Sequence, residues 1–299
     1  MSSGKRALIL ALPLLAFAVA GSLYTPLSKE SRRTAADGAF LPALPAWTSA
    51  PLPDFSRFRD STEKKAAFFS FLYPRVVLAN TRILLQRRYL TSLAGNSALT
   101  HTENLWLEAQ ADRFGIEGKY NGQQLLDQLH TRLDIVPPSL VLAQAANESA
   151  WGTSRFATVG NNLFGQWCFS GGCGMLPLNR SPDATHEVRA FRSPYLSVQS
   201  YIQNLNTHPA YRQLRKIRLQ QRQNGGELTG LSLAQGLLSY SSRGAIYVKE
   251  IQTLIHQNNL EYYDDDFRNL TRNLDVEGLI QLASSKDEAL LIPGRHTTH

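Results

Sequence analysis

Pro137-Pro138-Ser139-Leu140-Val141-Leu142-Ala143-Gln144-Ala145-Ala146-Asn147-Glu148-Ser149-Ala150-Trp151-Gly152 reads as one apolar helix with a single carboxylate near its far end. The two prolines suit a helix start, and Ser139 is available to satisfy early amide groups. Val141, Gln144, Ala145 and Glu148 share a face through i, i+3, i+4 and i+7 spacing. Gly152 is the expected stop. Glu148 then sits in the last turn, where the helix dipole disfavours an anion. Apolar neighbours such as Trp151 and Phe164 would desolvate it as well. A glutamic acid kept protonated is what general-acid cleavage of a glycosidic bond requires. A lone Glu at a helix end is nonetheless most often a solvated side chain, so the rest of the chain has to decide.

The chain has 299 residues, 43% hydrophobic and 18% charged, an ordinary globular composition with enough apolar material for a core. The 31 Lys and Arg against 24 Asp and Glu give a net charge of +7. A basic surface suits a polyanion, an anionic membrane or an anionic cell wall. No Lys/Arg block is dense enough to argue for nucleic acid. Lys5 and Arg6 precede an apolar run to about Tyr24, with Ala18-Val19-Ala20 as a cleavage-like site. Residues 1–24 are therefore expected to act as a signal peptide or membrane anchor, so that the remainder leaves the cytoplasm. The expected location is periplasmic, with attachment to the inner membrane through this segment as the second form.

Residues 25–60, with Pro42, Pro45, Pro51 and Pro53, read as a linker without its own core. Residues 61–132 read as an N-terminal helical region, with a long helical pattern over Glu63 to Leu93 that Pro74 interrupts. Thr100-His101-Thr102-Glu103 has the form of a capping box. Past Leu163 the pattern changes: Gly171, Gly172 and Gly174 break helix, and Glu187-Val188-Arg189-Ala190-Phe191 alternates like a strand. A helix that begins at His208-Pro209-Ala210-Tyr211 and continues through Leu214, Ile217 and Leu219 carries a basic face (Arg212, Arg215, Lys216, Arg218, Arg222) expected to be solvated. Residues 261–299 read as a tail, with Val276 to Ala283 as a short docking helix. Cys168 and Cys173, close together in an exported chain, are expected to form a disulfide around a Gly-rich loop. The seven His show no HExxH-like spacing, so neither a metal nor a cofactor is expected.

Leu142 to Gly152, together with Asn161-Asn162-Leu163-Phe164-Gly165, resembles the bacterial glucosaminidase family, which includes flagellar and autolytic peptidoglycan hydrolases. Gly165-Gln166-Trp167-Cys168-Phe169, Asn204 to Tyr211 and Gly236 to Gly244 are similar to its Bax-type branch in Gram-negative bacteria. The resemblance spans roughly residues 133–260. It implies an α+β, mainly α, lysozyme-like fold: a helical lobe beside a small β-hairpin lobe, with a sugar cleft between. It maps the motif glutamate onto Glu148, as general acid on the bond after N-acetylglucosamine. A second acid on the β lobe would be Glu187, and a late catalytic tyrosine would be Tyr240 or Tyr247. Where the family has an acid near that tyrosine, this chain has Arg243-Gly244.

Under this resemblance the substrate is the glycan strand of peptidoglycan. Gln144, Trp151, Asn161, Asn162, Phe164 and Trp167 are the candidate substrate-binding residues. Glu148 would protonate the leaving oxygen while Glu187 activates water across the ring. Alternatively, the substrate's own acetamide attacks, with a tyrosine stabilising charge. Two further readings stand beside the hydrolase: a lytic transglycosylase on the same fold, and a membrane-tethered wall-binding protein without activity.

Overall fold

The computed structural model describes residues 41–96, 98–118, 120, 122–177 and 186–293. The proposed signal or anchor segment lies outside these residues. Among the described residues no helix is long and apolar enough to cross a membrane.

Helix α1 (Ser61–Leu93) is the spine. It runs unbroken through Pro74, and its first turn is closed by the Asp60 carboxylate accepting from the Glu63 N–H at 2.8 Å. It joins two cores. One end lies with α2 (His101–Arg113) and α3 (Gly122–Arg132) around Leu90, Trp106, Phe114 and Leu129. The other lies in the main core, around Phe68, Leu72, Val76 and Leu140. The expected capping box opens α2: the Thr100 hydroxyl accepts from the Glu103 N–H, and Glu103 accepts from the Thr100 N–H.

The decisive stretch forms α4 (Pro138–Ser149). It is buried on every side from Pro138 to Ala146, so its packing is that of a central core helix rather than an amphipathic one. Its first amides are not served by Ser139. The Ser139 N–H and hydroxyl both donate to the Asp264 carboxylate, at 2.8 and 2.6 Å, and the Gly230 N–H donates to it at 3.0 Å. One buried acid thereby closes the N-termini of α4 and of the later short helix at Gly230.

The far end also differs from expectation. The helix stops at Ser149, and Ala150, Trp151 and Gly152 take left-handed φ values of 50°, 60° and 76°. Only Gly adopts this region without strain, which costs each of the other two about 1 kcal/mol. Trp151 recovers packing by meeting Phe68 and Phe69 edge-on, at 6.0 and 5.4 Å between ring centres. A side chain at Gly152 would begin 2.6 Å from the Phe55 ring.

After α5 (Arg155–Gly160) comes the small lobe: β1 (Trp167–Cys168), β2 (Gly174–Met175) and β3 (Glu187–Arg189), antiparallel in the order β1-β3-β2. Then follow α6 (Pro194–Thr207), α7 (Arg212–Gln223), α8 (Gly230–Ala234), α9 (Ala245–Gln257), α10 (Glu261–Thr271) and α11 (Val276–Ala283). This is the mainly α, lysozyme-like architecture, a helical lobe with a three-stranded β lobe set into it.

Three segments pack differently from their sequence patterns. Residues 41–60 have no core of their own, yet Phe55 is buried in that of the helices and the Trp47 indole donates to the Ser285 carbonyl at 2.9 Å. Beyond residue 260 the reading as a tail gives way, since α10 and α11 join the main core through Phe267 and Leu279, while α11 docks on α1 as its apolar stretch suggested. The basic face of α7 is in part interior. Arg218 is 1% exposed, donating to the carbonyls of Asp134 and Ile135, and Arg215 is buried on those of Leu205 and His208. Burial pushes the Asp134 carboxyl up, but Arg218, Arg87 and Arg222 around it overcome that and hold it below its usual range.

Candidate active site

The last turn of α4 faces α9, α6 and the loop over residues 161–166. Glu148 is half-buried there. Its Oε1 accepts from the Tyr247 hydroxyl at 2.7 Å and from the Asn147 amide at 3.2 Å. One turn earlier, the fully buried Gln144 donates through Nε2 to the Tyr247 oxygen at 2.8 Å. Its Oε1 accepts from the Tyr201 hydroxyl of α6. The i, i+4 spacing of Gln144 and Glu148 puts both within reach of one tyrosine.

This chain of bonds has one polarity. An amide oxygen can only accept and an amide nitrogen can only donate. Tyr201 therefore gives its proton to Gln144, Gln144 gives one to Tyr247, and the single Tyr247 proton is left for Glu148. Burial raises the Tyr201 and Tyr247 hydroxyls well above the usual tyrosine range, and the nearby Glu148 raises them further. Both remain protonated donors.

Tyr240 completes the wall. Its ring stacks on Tyr247 at 5.3 Å, and its hydroxyl donates to the Phe164 carbonyl at 2.9 Å. The Phe164 ring is buried and stacks on Tyr201 at 4.0 Å. Gly165 follows with φ 63°, and a β-carbon there would stand 3.9 Å from Glu148 Oε2. The left-handed backbone favours Gly, and a β-carbon there would stand in van der Waals contact with that oxygen.

The paired asparagines hold the loop. Asn161 caps α5 with φ 51° and donates to the Phe191 carbonyl at 2.9 Å. Asn162 is 1% exposed. It donates to the Gln166 and Arg189 carbonyls at 2.9 and 2.8 Å and accepts from the amides of Phe164 and Gln166. Its polar atoms are spent on backbone, so it shapes the loop from within.

Glu187 stands on the β lobe, opposite Cys168 in the β1–β3 pairing. Its two oxygens accept from the Gly172 and Gly174 amides at 3.0 and 2.8 Å. Cys168 and Cys173 form the expected disulfide across the same loop. The three side chains cluster, but with the sulfurs bonded to each other they are not a thiolate metal site. Residues 165–168 connect the two acids, since Gly165 borders Glu148 and Cys168 faces Glu187. Three residues reach at most about 11 Å. Trp167 is 58% exposed and stacks on His186 at 4.1 Å.

The structure thus brings Gln144, Glu148, Tyr240, Tyr247 and the Phe164 backbone into one cluster. It places Glu187 and Trp167 on the neighbouring lobe, and turns Trp151 towards Phe68 and Phe69. Arg243, which stands where an acid was expected, pairs with Glu250 one helical segment away. Tyr201 and Gly165 belong to the cluster too; Tyr201 was not singled out from sequence, and Gly165 stood in the quoted motif without a role. Tyr201 lies in an apolar run with Val198, Ile202 and Leu205 and reads as core.

The glucosaminidase family, described as mannosyl-glycoprotein endo-beta-N-acetylglucosaminidase, matches residues 123–260. That begins ten residues before the boundary drawn from the sequence motifs and takes in α3. A protein of Escherichia coli (strain K12), Protein bax, is 33% identical over 211 residues, covering 70% of this chain and 75% of that protein. No solved structure matches.

Proposed function

Because the chain belongs to the glucosaminidase family and carries its glycosidase-type domain, we propose that it hydrolyses the glycan strand of peptidoglycan after N-acetylglucosamine, with Glu148 as general acid. The observation that carries this reading is the one-directional chain Tyr201–Gln144–Tyr247–Glu148. With Tyr247 committed to donating into Oε1, the proton of the neutral acid resides on Oε2. That oxygen looks past Gly165, where no side chain intervenes. The leaving glycosidic oxygen takes the Oε2 proton as its bond to the anomeric carbon lengthens and an oxocarbenium-like centre forms.

Glu187 is the candidate base. A water beside it would lose its proton to the carboxylate as it attacks the anomeric carbon. This route inverts the anomeric configuration and needs the two carboxyls about 6.5–9.5 Å apart around substrate. Tyr240 and Tyr247 are positioning groups in this reading, since their hydroxyls are occupied by Phe164 and Glu148. Trp167, exposed on the β lobe, offers a ring face to a sugar.

The same reading places the mature domain outside the cytoplasm. The charged-then-apolar segment over residues 1–24 supports this, as does the Cys168–Cys173 disulfide, a bond kept in oxidising compartments.

Glu148→Gln tests the assignment. We expect hydrolysis of purified wall to fall by about 10²–10⁴ with folding retained. Unchanged turnover would overturn it. Mass spectrometry of the wild-type digest separates the chemistry: hydrated N-acetylglucosamine ends agree with hydrolysis, whereas 1,6-anhydro ends would assign a transglycosylase.

A further inference from the structure

Gln144 is the one long polar side chain in the buried stretch of α4 from Pro138 to Ala146, and it is 0% exposed. It lies out of a substrate's reach, so its amide serves its neighbours. The two ends of an amide have nearly the same shape, and packing alone does not choose between them. Hydrogen-bond partners must choose. On one side stands the Tyr247 hydroxyl, 2.8 Å from Nε2, which can give or take a proton and so fits either end of the amide. On the other side stands Tyr201, fully buried, with its ring stacked on Phe164 at 4.0 Å. Among the described residues its hydroxyl has no acceptor but Gln144 Oε1. Turning the amide over would set Nε2 against that hydroxyl and strand the Tyr201 proton, and a buried donor left without an acceptor is strongly disfavoured.

A turned amide would reverse the whole chain of bonds. Gln144 Oε1 would then accept the Tyr247 proton. Tyr247 would in turn take a proton from Glu148 Oε1, 2.7 Å away. The neutral acid would carry its proton on this inner oxygen, and Oε2 beside Gly165 would have none to give. The Asn147 amide that donates to Oε1 at 3.2 Å is exposed and can turn to water instead, so it does not hold the direction. We propose that Tyr201 is a positioning residue: by holding the Gln144 amide one way round, it keeps the proton of Glu148 on the oxygen that meets the glycan. The proposal rests on the general-acid reading of Glu148 above.

Two variants of the full chain and one direct observation test it. In Tyr201→Phe the amide is free to turn over, so kcat on wall glycan should fall by about tenfold or more with KM little changed. Tyr201→Phe with Gln144→Met removes the amide as well. Among the described residues the Tyr247 proton then has only Glu148 to bond. Replacing both buried partners by apolar groups also leaves nothing unmatched between them. The double variant should therefore recover kcat to within about threefold of wild type, a rescue that lost packing at residue 201 could not produce. Side-chain amide NMR reads the same arrangement without turnover. The Gln144 amide protons should show nuclear Overhauser contacts to the Tyr247 ring in the wild type, and to the ring at residue 201 in Tyr201→Phe. Wild-type kcat in Tyr201→Phe, a double variant as slow as the single one or slower, or an amide that keeps its contacts in the single variant would each overturn the proposal. An amide that turns over as expected in a chain whose wild type cuts no glycan would instead overturn the proposed activity and leave the orienting role of Tyr201 standing.

Discussion

The Tyr247 hydroxyl donates to Glu148 Oε1 at 2.7 Å while accepting from Gln144 at 2.8 Å. The Gln144 bond cannot reverse, because Gln144 Nε2 has only protons to give, and the Tyr247 proton is thereby left for Glu148. A tyrosine on α9 therefore decides which oxygen of a carboxyl on α4 is free to carry the proton.

Tyr247→Phe removes that decision. It leaves Glu148 Oε1 and the buried Gln144 Nε2 each short of a partner, and an unmatched buried donor costs about 1–3 kcal/mol. We expect kcat on wall glycan to fall about 10–100-fold with KM little changed, together with a lower midpoint in urea. A variant with wild-type kcat would show that the relay does not orient the acid.

Gly165→Ala tests the open side of the acid. A non-glycine residue at φ 63° is strained by about 1–2 kcal/mol. The added methyl would also stand 3.9 Å from Glu148 Oε2, on the approach of the leaving oxygen. Activity should fall by at least about tenfold while stability changes by no more than this strain. Denaturation and steady-state rates on one preparation separate the two effects.

Asp264 makes part of the stability pH-dependent. Burial pushes its carboxyl up to about 6 from 3.8, against the hydrogen bonds from Ser139 and Gly230. A raised folded-state value means that its stabilisation is complete below the unfolded value, near pH 4, and is lost as pH rises through 6. Linkage puts the difference at about 3 kcal/mol. Urea unfolding of wild type and Asp264→Asn should show the wild type gaining on the variant as pH falls from 7 to 4.5. A constant difference across that range would contradict the assignment.

Cys168→Ser with Cys173→Ser opens the loop whose amides hold Glu187. Closing so short a loop is worth about 2 kcal/mol in chain entropy. The helical cores do not depend on it, so far-UV circular dichroism should be unchanged. Loss of protection should be confined to the amides of residues 168–175 in hydrogen exchange, and wall hydrolysis should drop as Glu187 loses its support.

Much of this arrangement is local in sequence and could be read there. The Thr100–Glu103 capping box, the Pro-led start of α4, the disulfide partners and the i, i+4 placement of Gln144 under Glu148 all depend on residues within a turn or a short loop of each other. Their geometry follows from backbone spacing alone. The strand at Glu187 was legible for the same reason, through alternation between glycine-rich breaks.

What joined distant segments was decided by tertiary packing. Ser139 looked like the cap of its own helix, but the cap is Asp264, 125 residues later. Arg215 and Arg218 looked like a solvated face, because a sequence shows charge but not the backbone carbonyls that will surround it. Tyr201 had the spacing of a core residue, and it is one: its ring is buried, and only the position of Gln144 gives its hydroxyl a role. The sequence by itself determined that an acid would stand at the end of an apolar helix in a glucosaminidase-like chain. Which of its oxygens is held and which faces the cleft depends on a hydroxyl 99 residues away, and only folding brings that hydroxyl within 2.7 Å.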